Sequence, residues 1–532
     1  MRLFSKNKSS ELDIVTSIKS DKSDNNLNEE EKFVEDTTSS EFDMVGLEAN
    51  DMVLHQKMTL INNAIDEIGF TRYHLKLFFL NGMGYCTDCM LIYLESSVRK
   101  FIKFQFNYPG FPVSNECYAG GMLLGAIFWG FGADLIGRRL AFNLSLVLSG
   151  IFTVLAGIMN SMTSYCLFVL LSAFAAGGNL ALDACIFLEY LPFKDQWLLT
   201  FFAFFWGVGQ TIAAATSLAF LPYYSCDSAD DCPSHKNRGW RYVWYTNGGI
   251  VLVMAFLRIT VIKLRETPKF LVSNNRDEEA VQVLQGIANK YGRPCSLTVE
   301  QLKECGVVEI NDDVRNHLDL IGVLTLVKNH LKVLFATRTA ARSTILLFIS
   351  WAGLGIAYPL YSAYLPDYLA SRGGDISPSS TLGLYTDNLI INAFSTLGPI
   401  IAGAMLYCLP KLGRRGVLFI GGISTMALLF GYTAIKTRVQ NVALASAVYC
   451  ALYIYYGVIY AYTPEVMPSA ARTTGNALCL FCTRICTAMC PIIAYFGNTY
   501  SSVPIWVCGA AVGVIGIIAL ALPYEPSKNR AV

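Results

Sequence analysis

The feature that most constrains this chain is a succession of about twelve apolar stretches, each close to the length of helix that crosses a lipid bilayer. Of its 532 residues, 53% are hydrophobic and 15% are charged, whereas soluble domains carry about 25% charged residues. Because the backbone inside a bilayer must satisfy its own hydrogen bonds, such stretches form helices. The pattern predicts an all-α membrane protein with twelve transmembrane helices. The predicted spans are residues 75–95, 117–135, 140–159, 165–188, 197–221, 243–262, 343–366, 385–408, 415–435, 441–463, 473–497 and 503–523.

The longest interruption of the apolar pattern runs from Lys263 to Arg342 and divides the spans into two groups of six. It is rich in charged residues and contains one candidate amphipathic helix, around residues 278–291. The residues before the first span are polar and charged, which is typical of a disordered tail. We therefore predict five regions: a disordered cytoplasmic tail at 1–74, a six-helix bundle at 75–262, a cytoplasmic linker loop at 263–342, a second six-helix bundle at 343–523 and a tail at 524–532.

A turn with the sequence Gly130-Phe-Gly-Ala-Asp134-Leu-Ile-Gly137-Arg138-Arg139 separates the second and third spans. One acid and two arginines between apolar spans must lie at a membrane surface, and the glycines let two helix ends approach closely. Part of this turn recurs after the eighth span, as Leu412-Gly413-Arg414-Arg415. Two related halves with a binding site at their interface are typical of a transporter.

Several ionisable residues lie deep inside predicted spans, where a charged side chain costs about 2.5–3.5 kcal/mol on insertion scales. Asp88 and Arg484 are two of them. Asp88 lies in the middle of the first span. A carboxylate in a low-dielectric cavity is more easily protonated than one in water, so we predict that Asp88 couples transport to protons. A structural carboxylate is the alternative. Arg484, in the eleventh span, needs either an acidic partner or an anionic substrate.

Polar and aromatic side chains of several spans are candidates for lining a substrate cavity. Asn179 and Asp183 are four residues apart and so share one face of a helix. Tyrosines can stack on a sugar ring while their hydroxyl groups find hydrogen-bond partners. For each of these residues, packing inside the bundle or a structural ion-pair network is the alternative. The predicted cavity residues are Asn179, Asp183, Gln210, Trp351, Tyr358, Tyr361 and Tyr456.

Most of the 16 cysteines lie inside apolar spans, where they serve as small packing residues. Cys226 and Cys232 differ, because they bracket a polar loop. They form a disulfide if that loop faces an oxidising compartment, and two free thiols otherwise. We predict no metal site and no cofactor. The net charge of +1 implies no nucleic-acid partner, and no nucleophile with a neighbouring base suggests an enzyme.

Taken together, these residues resemble the major facilitator superfamily. The turn from Gly130 to Arg139 resembles the cytoplasmic loop between helices 2 and 3 of that family. Arg265-Glu266-Thr267-Pro268-Lys269-Phe270-Leu271 resembles the sugar-porter signature after helix 6, and Thr463 to Gly475 resembles the segment after helix 10. The resemblance implies a cytoplasmic charge network that latches the outward-open state. Its residues are Gly130, Asp134, Gly137, Arg138, Arg139, Glu189, Glu266, Glu465 and Arg472.

Within the superfamily, the chain resembles the synaptic vesicle glycoprotein branch in its fungal form. The resemblance rests on Gly82-x-Gly84-x-x-x-Asp88, on 177–192, on Gly239-Trp240-Arg241-Tyr242 and on Ala357-Tyr358-Pro359-Leu360. It implies a monomeric, proton-coupled transporter that moves a small polar organic solute by alternating access, with both termini in the cytoplasm. The solute is a sugar, an inositol-like compound or an organic acid. The alternative is a transport-inactive nutrient sensor or trafficking receptor. The plasma membrane, the vacuole and the endoplasmic reticulum are all compatible with the sequence.

Overall fold

In a computed structural model of the chain, the described residues form α-helices joined by short loops and turns. For a few residues inside helices, among them Asp134, the structure describes the backbone but not the side chain. The structure describes residues 52–107, 113–226, 232, 235–262, 264–308, 331–371, 380–467, 472–496 and 502–526.

Nineteen α-helices occur among these residues. In chain order they are α1 (Met52–Ile68), α2 (Arg72–Phe106), α3 (Val113–Ile136), α4 (Arg138–Ile158), α5 (Met162–Ala176), α6 (Asn179–Tyr190), α7 (Leu198–Phe201), α8 (Phe204–Tyr224), α9 (Gly239–Ile262), α10 (Pro268–Ser273), α11 (Asp277–Tyr291), α12 (Val299–Glu304), α13 (Arg338–Ser371), α14 (Thr381–Ser395), α15 (Leu397–Cys408), α16 (Gly413–Tyr432), α17 (Arg438–Val466), α18 (Arg472–Phe496) and α19 (Val503–Leu520).

These helices make up the twelve predicted spans in two groups of six. Among the described residues, nine helical segments are long and apolar enough to cross a membrane. The helices α3 and α18 and the pair α5–α6 complete the twelve. Three spans consist of two helices each, namely α5–α6, α7–α8 and α14–α15.

The break between α5 and α6 lies at two adjacent glycines, Gly177 and Gly178. A glycine inside a helix costs about 1 kcal/mol relative to alanine, but here the absence of side chains lets this span pack against α3. A Cβ atom on Gly177 would lie 2.7 Å from the carbonyl oxygen of Met122, and one on Gly178 would overlap the side chain of Trp129. The two glycines therefore hold the second and fourth spans in close contact.

The structure corrects the predicted disordered tail at 1–74, because α1 lies within it. Four apolar residues of α1, spaced three or four apart, form one buried face: Ile61, Ala64, Ile65 and Ile68. Burial of this apolar face stabilises the helix, although the polar composition of the segment does not predict one. That part of the prediction is wrong, and residues 1–51 lie outside the described part of the chain. The predicted helix at 278–291 is confirmed as α11.

Helix α1 docks on the helices of the linker. The Lys57 Nζ atom lies 2.6 Å from Asp277 Oδ2 at the start of α11, and both side chains are buried. The Glu67 carboxylate accepts hydrogen bonds of 2.8 Å from the backbone N–H and the hydroxyl group of Ser296, and these donors lower the pKa of Glu67. We call the end of the bundle that carries α1 and α10–α12 the linker end, and the opposite end the far end.

Candidate functional site

An ion pair joins the two halves at the middle of the bundle. Arg484 of α18 places its Nη2 atom 3.6 Å from Oδ2 of Asp88, which lies halfway along α2. The Asp88 side chain is 2% exposed and the Arg484 side chain 12%. Among the described residues, no donor lies within hydrogen-bonding distance of Asp88 Oδ1. Asp88, the predicted coupling carboxylate, therefore faces Arg484 through one oxygen atom only, at a distance longer than a hydrogen bond.

Aromatic side chains from both halves form a cluster at the same level. Trp206 of α8 meets Tyr460 of α17 edge to face, with ring centroids 4.3 Å apart, and stacks on Tyr85 of α2 at 5.5 Å. Tyr456 lies 5.7 Å from Trp206, and Trp351 of α13 lies 4.4 Å from Tyr460. We call these five residues the aromatic cluster. Tyr460 interacts electrostatically with both Asp88 and Arg484, so the cluster adjoins the ion pair.

Two further predicted cavity residues lie next to the aromatic cluster, which already contains the predicted residues Trp351 and Tyr456. Gln210 accepts a 2.7 Å hydrogen bond from the hydroxyl group of Tyr453, so this contact joins α8 to α17. Tyr358 packs edge to face on Tyr456, with centroids 6.1 Å apart. Both residues therefore border the aromatic cluster.

The remaining cavity candidates have partners within their own half. Trp351, although part of the aromatic cluster, is fully buried and donates its indole N–H to the Thr463 hydroxyl at 2.9 Å. Tyr361 packs against Tyr432, with centroids 5.9 Å apart. Asn179 accepts a 2.7 Å hydrogen bond from the hydroxyl group of Ser145 on α4.

Asp183 pairs with an arginine that the sequence analysis did not single out. Its Oδ2 atom lies 2.9 Å from Nη2 of Arg258 on α9, and both side chains are at most 1% exposed. Arg258 also donates to the carbonyl oxygens of Leu80 and Phe142, and its guanidinium group lies 3.8 Å from the centroid of the Phe142 ring. Removing one partner of a buried pair costs about 3–5 kcal/mol. The pair thus fastens α6 to α9 within the first half.

At the linker end, the first half contains part of the predicted charge network. Arg138 forms an ion pair with Glu189. The Glu266 carboxylate accepts the backbone N–H groups of Arg138 and Arg139, each at 3.2 Å, so it caps the first turn of α4. The turn requires a left-handed backbone at Gly137, whose φ is +94°, a conformation that favours glycine. The side chain of Asp134 lies outside the description.

The second half repeats this arrangement with residues that the sequence analysis only partly identified. Arg414 pairs with Glu465. Glu525 accepts the backbone N–H groups of Arg414 at 2.8 Å and Arg415 at 3.3 Å, and Gly413 has a φ of +64°. The signal for Arg414 was visible as the repeated Gly-Arg-Arg sequence. Glu525 follows the twelfth span much as Glu266 follows the sixth.

The linker end also joins the halves to each other. The Arg414 guanidinium group donates to the hydroxyl group of Thr200 and, at 3.1 Å, to the carbonyl oxygen of Gln196 in the first half. A Cβ atom on Gly130 would overlap the methyl group of Ala477 in α18, so the second and eleventh spans touch closely. The predicted network residue Arg472 is buried and interacts electrostatically with Glu465.

The far end also carries a contact between the halves. The Tyr385 hydroxyl group of α14 donates a 2.7 Å hydrogen bond to the carbonyl oxygen of Ser97 in α2. Cys226 and Cys232, the pair that the sequence singled out, are joined by a disulfide at this end. The two halves are therefore in contact at both ends and at mid-depth.

Comparison with known proteins identifies the family. The profile of the Major Facilitator Superfamily matches residues 115–491. An MFS-type transporter of Schizosaccharomyces pombe, PB1E7.08c, is 36% identical over 494 residues, covering 88% of both chains. The MFS siderochrome iron transporter 1 of Ceriporiopsis subvermispora is 37% identical over 492 residues, covering 91% of this chain and 93% of the relative. The solved structure of the proton:xylose symporter XylE, bound to 6-bromo-6-deoxy-D-glucose, superposes with a TM-score of 0.65 at 14% identity, covering 86% of this chain and 98% of XylE.

The fold, with a charged site between two six-helix halves, is that of a membrane transporter. The chain belongs to the Major Facilitator Superfamily. It is an integral, multi-pass membrane protein that acts as a transporter and not as an enzyme, and the predicted twelve-helix fold is confirmed.

Proposed function

We propose that this transporter moves a small organic acid by alternating access and couples its movement to protons through Asp88. The observation that carries the proposal is the ion pair between Asp88 and Arg484, which spans the two halves at mid-depth. A charge at that depth always needs a counter-charge. Arg484 has one when it pairs with Asp88, and a substrate carboxylate would supply another.

This competition couples the proton to the substrate. When Asp88 takes up a proton, it loses its electrostatic attraction to Arg484, and the guanidinium group is free to bind the substrate anion. The halves then rock, the anion and the proton leave on the other side, and Asp88 pairs with Arg484 again. One proton moves with one negative charge, so the loaded step carries no net charge beyond that of the resting protein. We assign the linker end to the cytoplasm and take the transporting unit to be a monomer.

The surroundings of the pair favour an organic acid over a sugar or an inositol. A polyol needs many hydrogen-bond partners, yet Gln210 and Asn179 already accept hydrogen bonds from Tyr453 and Ser145. The aromatic cluster offers mostly ring faces. Within the described part of the chain, the indole N–H of Trp206 has no acceptor, so it can donate to a carboxylate bound at Arg484. The pairing of Asp183 with Arg258 favours a structural role for that acid.

A ferric siderochrome is the second candidate substrate, because the siderochrome iron transporter is 37% identical to this chain. If a siderochrome is transported, the proposed role of Asp88 is the same and only the substrate differs.

The test is uptake into proteoliposomes that contain the full chain, across a pH difference of one unit. The radiolabelled probes are benzoate, succinate, D-xylose, myo-inositol and a ferric siderochrome. We expect a carboxylate to accumulate up to about tenfold, the limit for one proton per anion. Asp88→Asn should lose accumulation but keep exchange of labelled for unlabelled substrate, and Arg484→Met should lose both. Arg276→Gln, which removes an exposed pair with Glu279, is the matched control and should change neither.

Three results would overturn the proposal in whole or in part. Accumulation of xylose or inositol, with no carboxylate transported, would exclude an organic acid. Accumulation of the siderochrome alone would favour the second candidate. Full accumulation by Asp88→Asn would exclude Asp88 as the proton site.

A further inference from the structure

Helices α3 and α5 lie in unusually close contact, in a fixed register. A Cβ atom on Gly121 would overlap the carbonyl oxygen of Leu170, and one on Gly125 would overlap that of Phe174. The register continues at Trp129, whose indole N–H donates a 3.0 Å hydrogen bond to the Phe174 carbonyl oxygen. Glycines at four-residue spacing let two helix backbones approach as closely as this.

One turn nearer the far end, the same register places a cysteine on each helix. Cys117 lies four residues before Gly121, and Cys166 lies four residues before Leu170. The two thiol groups lie close enough to interact electrostatically. Cys166 is buried, whereas Cys117 is partly exposed. A disulfide needs Cα atoms about 4.4–6.8 Å apart, and the close backbone contact one turn away favours such a separation at the two cysteines.

The chemistry of the far end suits an oxidised pair of cysteines. The loop disulfide Cys226–Cys232 lies at this end, and disulfides persist where a chain faces an oxidising compartment. By contrast, Cys408 at the end of α15 is an exposed free thiol at the linker end. The two ends therefore differ in the cysteine chemistry that they carry.

We propose that Cys117 and Cys166 form a second, reversible cross-link, made by exchange with an oxidised low-molecular-weight disulfide such as glutathione disulfide. The Cys117 thiolate attacks one sulfur atom of glutathione disulfide and releases one glutathione. The Cys166 thiolate then attacks the Cys117 sulfur atom of this mixed disulfide and releases the second glutathione. Two thiols are oxidised to one disulfide, glutathione disulfide is reduced to two thiols, and the two cysteine protons end on the two glutathione molecules.

The cross-link would stabilise the first half without blocking transport. Both α3 and α5 belong to that half, so the disulfide does not tie the two halves together. It restricts the unfolded chain between the two cysteines, and such a restriction raises the melting temperature. We expect a rise in Tm of about 5 °C on oxidation. This inference is independent of the substrate and of Asp88.

Peptide mapping of the purified full chain tests the cross-link. The protein is incubated with glutathione disulfide or with dithiothreitol, denatured, alkylated without reduction and digested. We expect a peptide that joins Cys117 to Cys166 after oxidation only, and no cross-linked peptide that contains Cys408. Cys117→Ser and Cys166→Ser should each lose this peptide and the rise in Tm, while the Cys226–Cys232 peptide remains.

Two outcomes would overturn the proposal. One is separate alkylation of Cys117 and Cys166 after oxidation. The other is a stable mixed disulfide between Cys117 and glutathione while Cys166 is alkylated. Both readouts use the wild-type protein, so they remain decisive if a serine variant fails to fold.

Discussion

Glu525 accepts the backbone N–H of Arg414 at 2.8 Å, and this contact repeats the one that Glu266 makes with the backbone N–H of Arg138. Each carboxylate follows the last helix of its half and caps a helix that begins at, or directly after, a glycine with a positive φ. A negative charge at a helix N-terminus is stabilised by the backbone dipoles. The linker end therefore contains two copies of the same carboxylate cap, one in each half, although the sequence shows the second copy only in part.

Neutralising the second cap should destabilise the protein as much as neutralising the first. A charged cap that accepts two backbone N–H groups contributes about 1–2 kcal/mol. We expect Glu525→Gln and Glu266→Gln each to lower the Tm of the detergent-solubilised protein by several degrees. The two caps lie in different halves, so the double variant should be additive to within about 0.5 kcal/mol. An unchanged Tm for Glu525→Gln would show that the second copy is not structural.

The sequence predicted the spans and the linker-end motifs well, because hydropathy and short-range motifs are local properties. It could not predict which charges pair between helices. Asp183 and Arg258 lie in different spans, and nothing local indicates that their side chains meet. The same holds for Asp88 and Arg484, although the need of Arg484 for an anion was visible. Helix α1 was missed despite its apolar residues at helical spacing, since the polar composition of the whole tail outweighed them.

Removing the charge of Asp183 should impair folding rather than transport alone. Asp183→Asn leaves the fully buried Arg258 without its counter-charge, at a cost of about 3–5 kcal/mol. We expect a strong loss of folded protein in fluorescence-detected size-exclusion chromatography. The double variant Asp183→Leu with Arg258→Met, which removes both charges, should recover most of it. If Asp183→Asn is well folded but does not transport, Asp183 belongs to the substrate cavity instead.

Gly84 provides space for the ion pair between Asp183 and Arg258. A Cβ atom on Gly84 would overlap the Asp183 carboxylate and would lie 2.7 Å from Nη2 of Arg258. We expect Gly84→Ala to lower the Tm, although alanine is the better helix former. Gly249→Ala in α9 is the matched control, because its Cβ atom would meet no other atom within 4 Å among the described residues. Equal Tm values for the two variants would contradict this account.

Docking of α1 should weaken in acid. The hydrogen bonds from Ser296 lower the pKa of Glu67 from its ordinary value of 4.5. A lowered pKa in the folded state means that the stabilisation is present above the ordinary value and is lost as the pH falls through the folded value. We expect cleavage within α1 by an acid-stable protease to increase as the pH falls below about 4.5. Glu67→Gln should remove this dependence, and an identical pH profile in that variant would exclude Glu67 as its source.

The buried pair between Lys57 and Asp277 should hold α1 on the linker. The two side chains are 1% and 9% exposed, so Asp277→Asn leaves an ammonium group buried without its counter-charge, whereas Lys57→Met with Asp277→Leu removes both charges. We expect limited proteolysis to cut α1 much faster in Asp277→Asn, and at close to the wild-type rate in the double variant. Arg276→Gln, which breaks the exposed pair with Glu279, should have little effect, because exposed pairs contribute at most about 1 kcal/mol. Equal cleavage rates in Asp277→Asn and Arg276→Gln would mean that α1 is held by its apolar face alone.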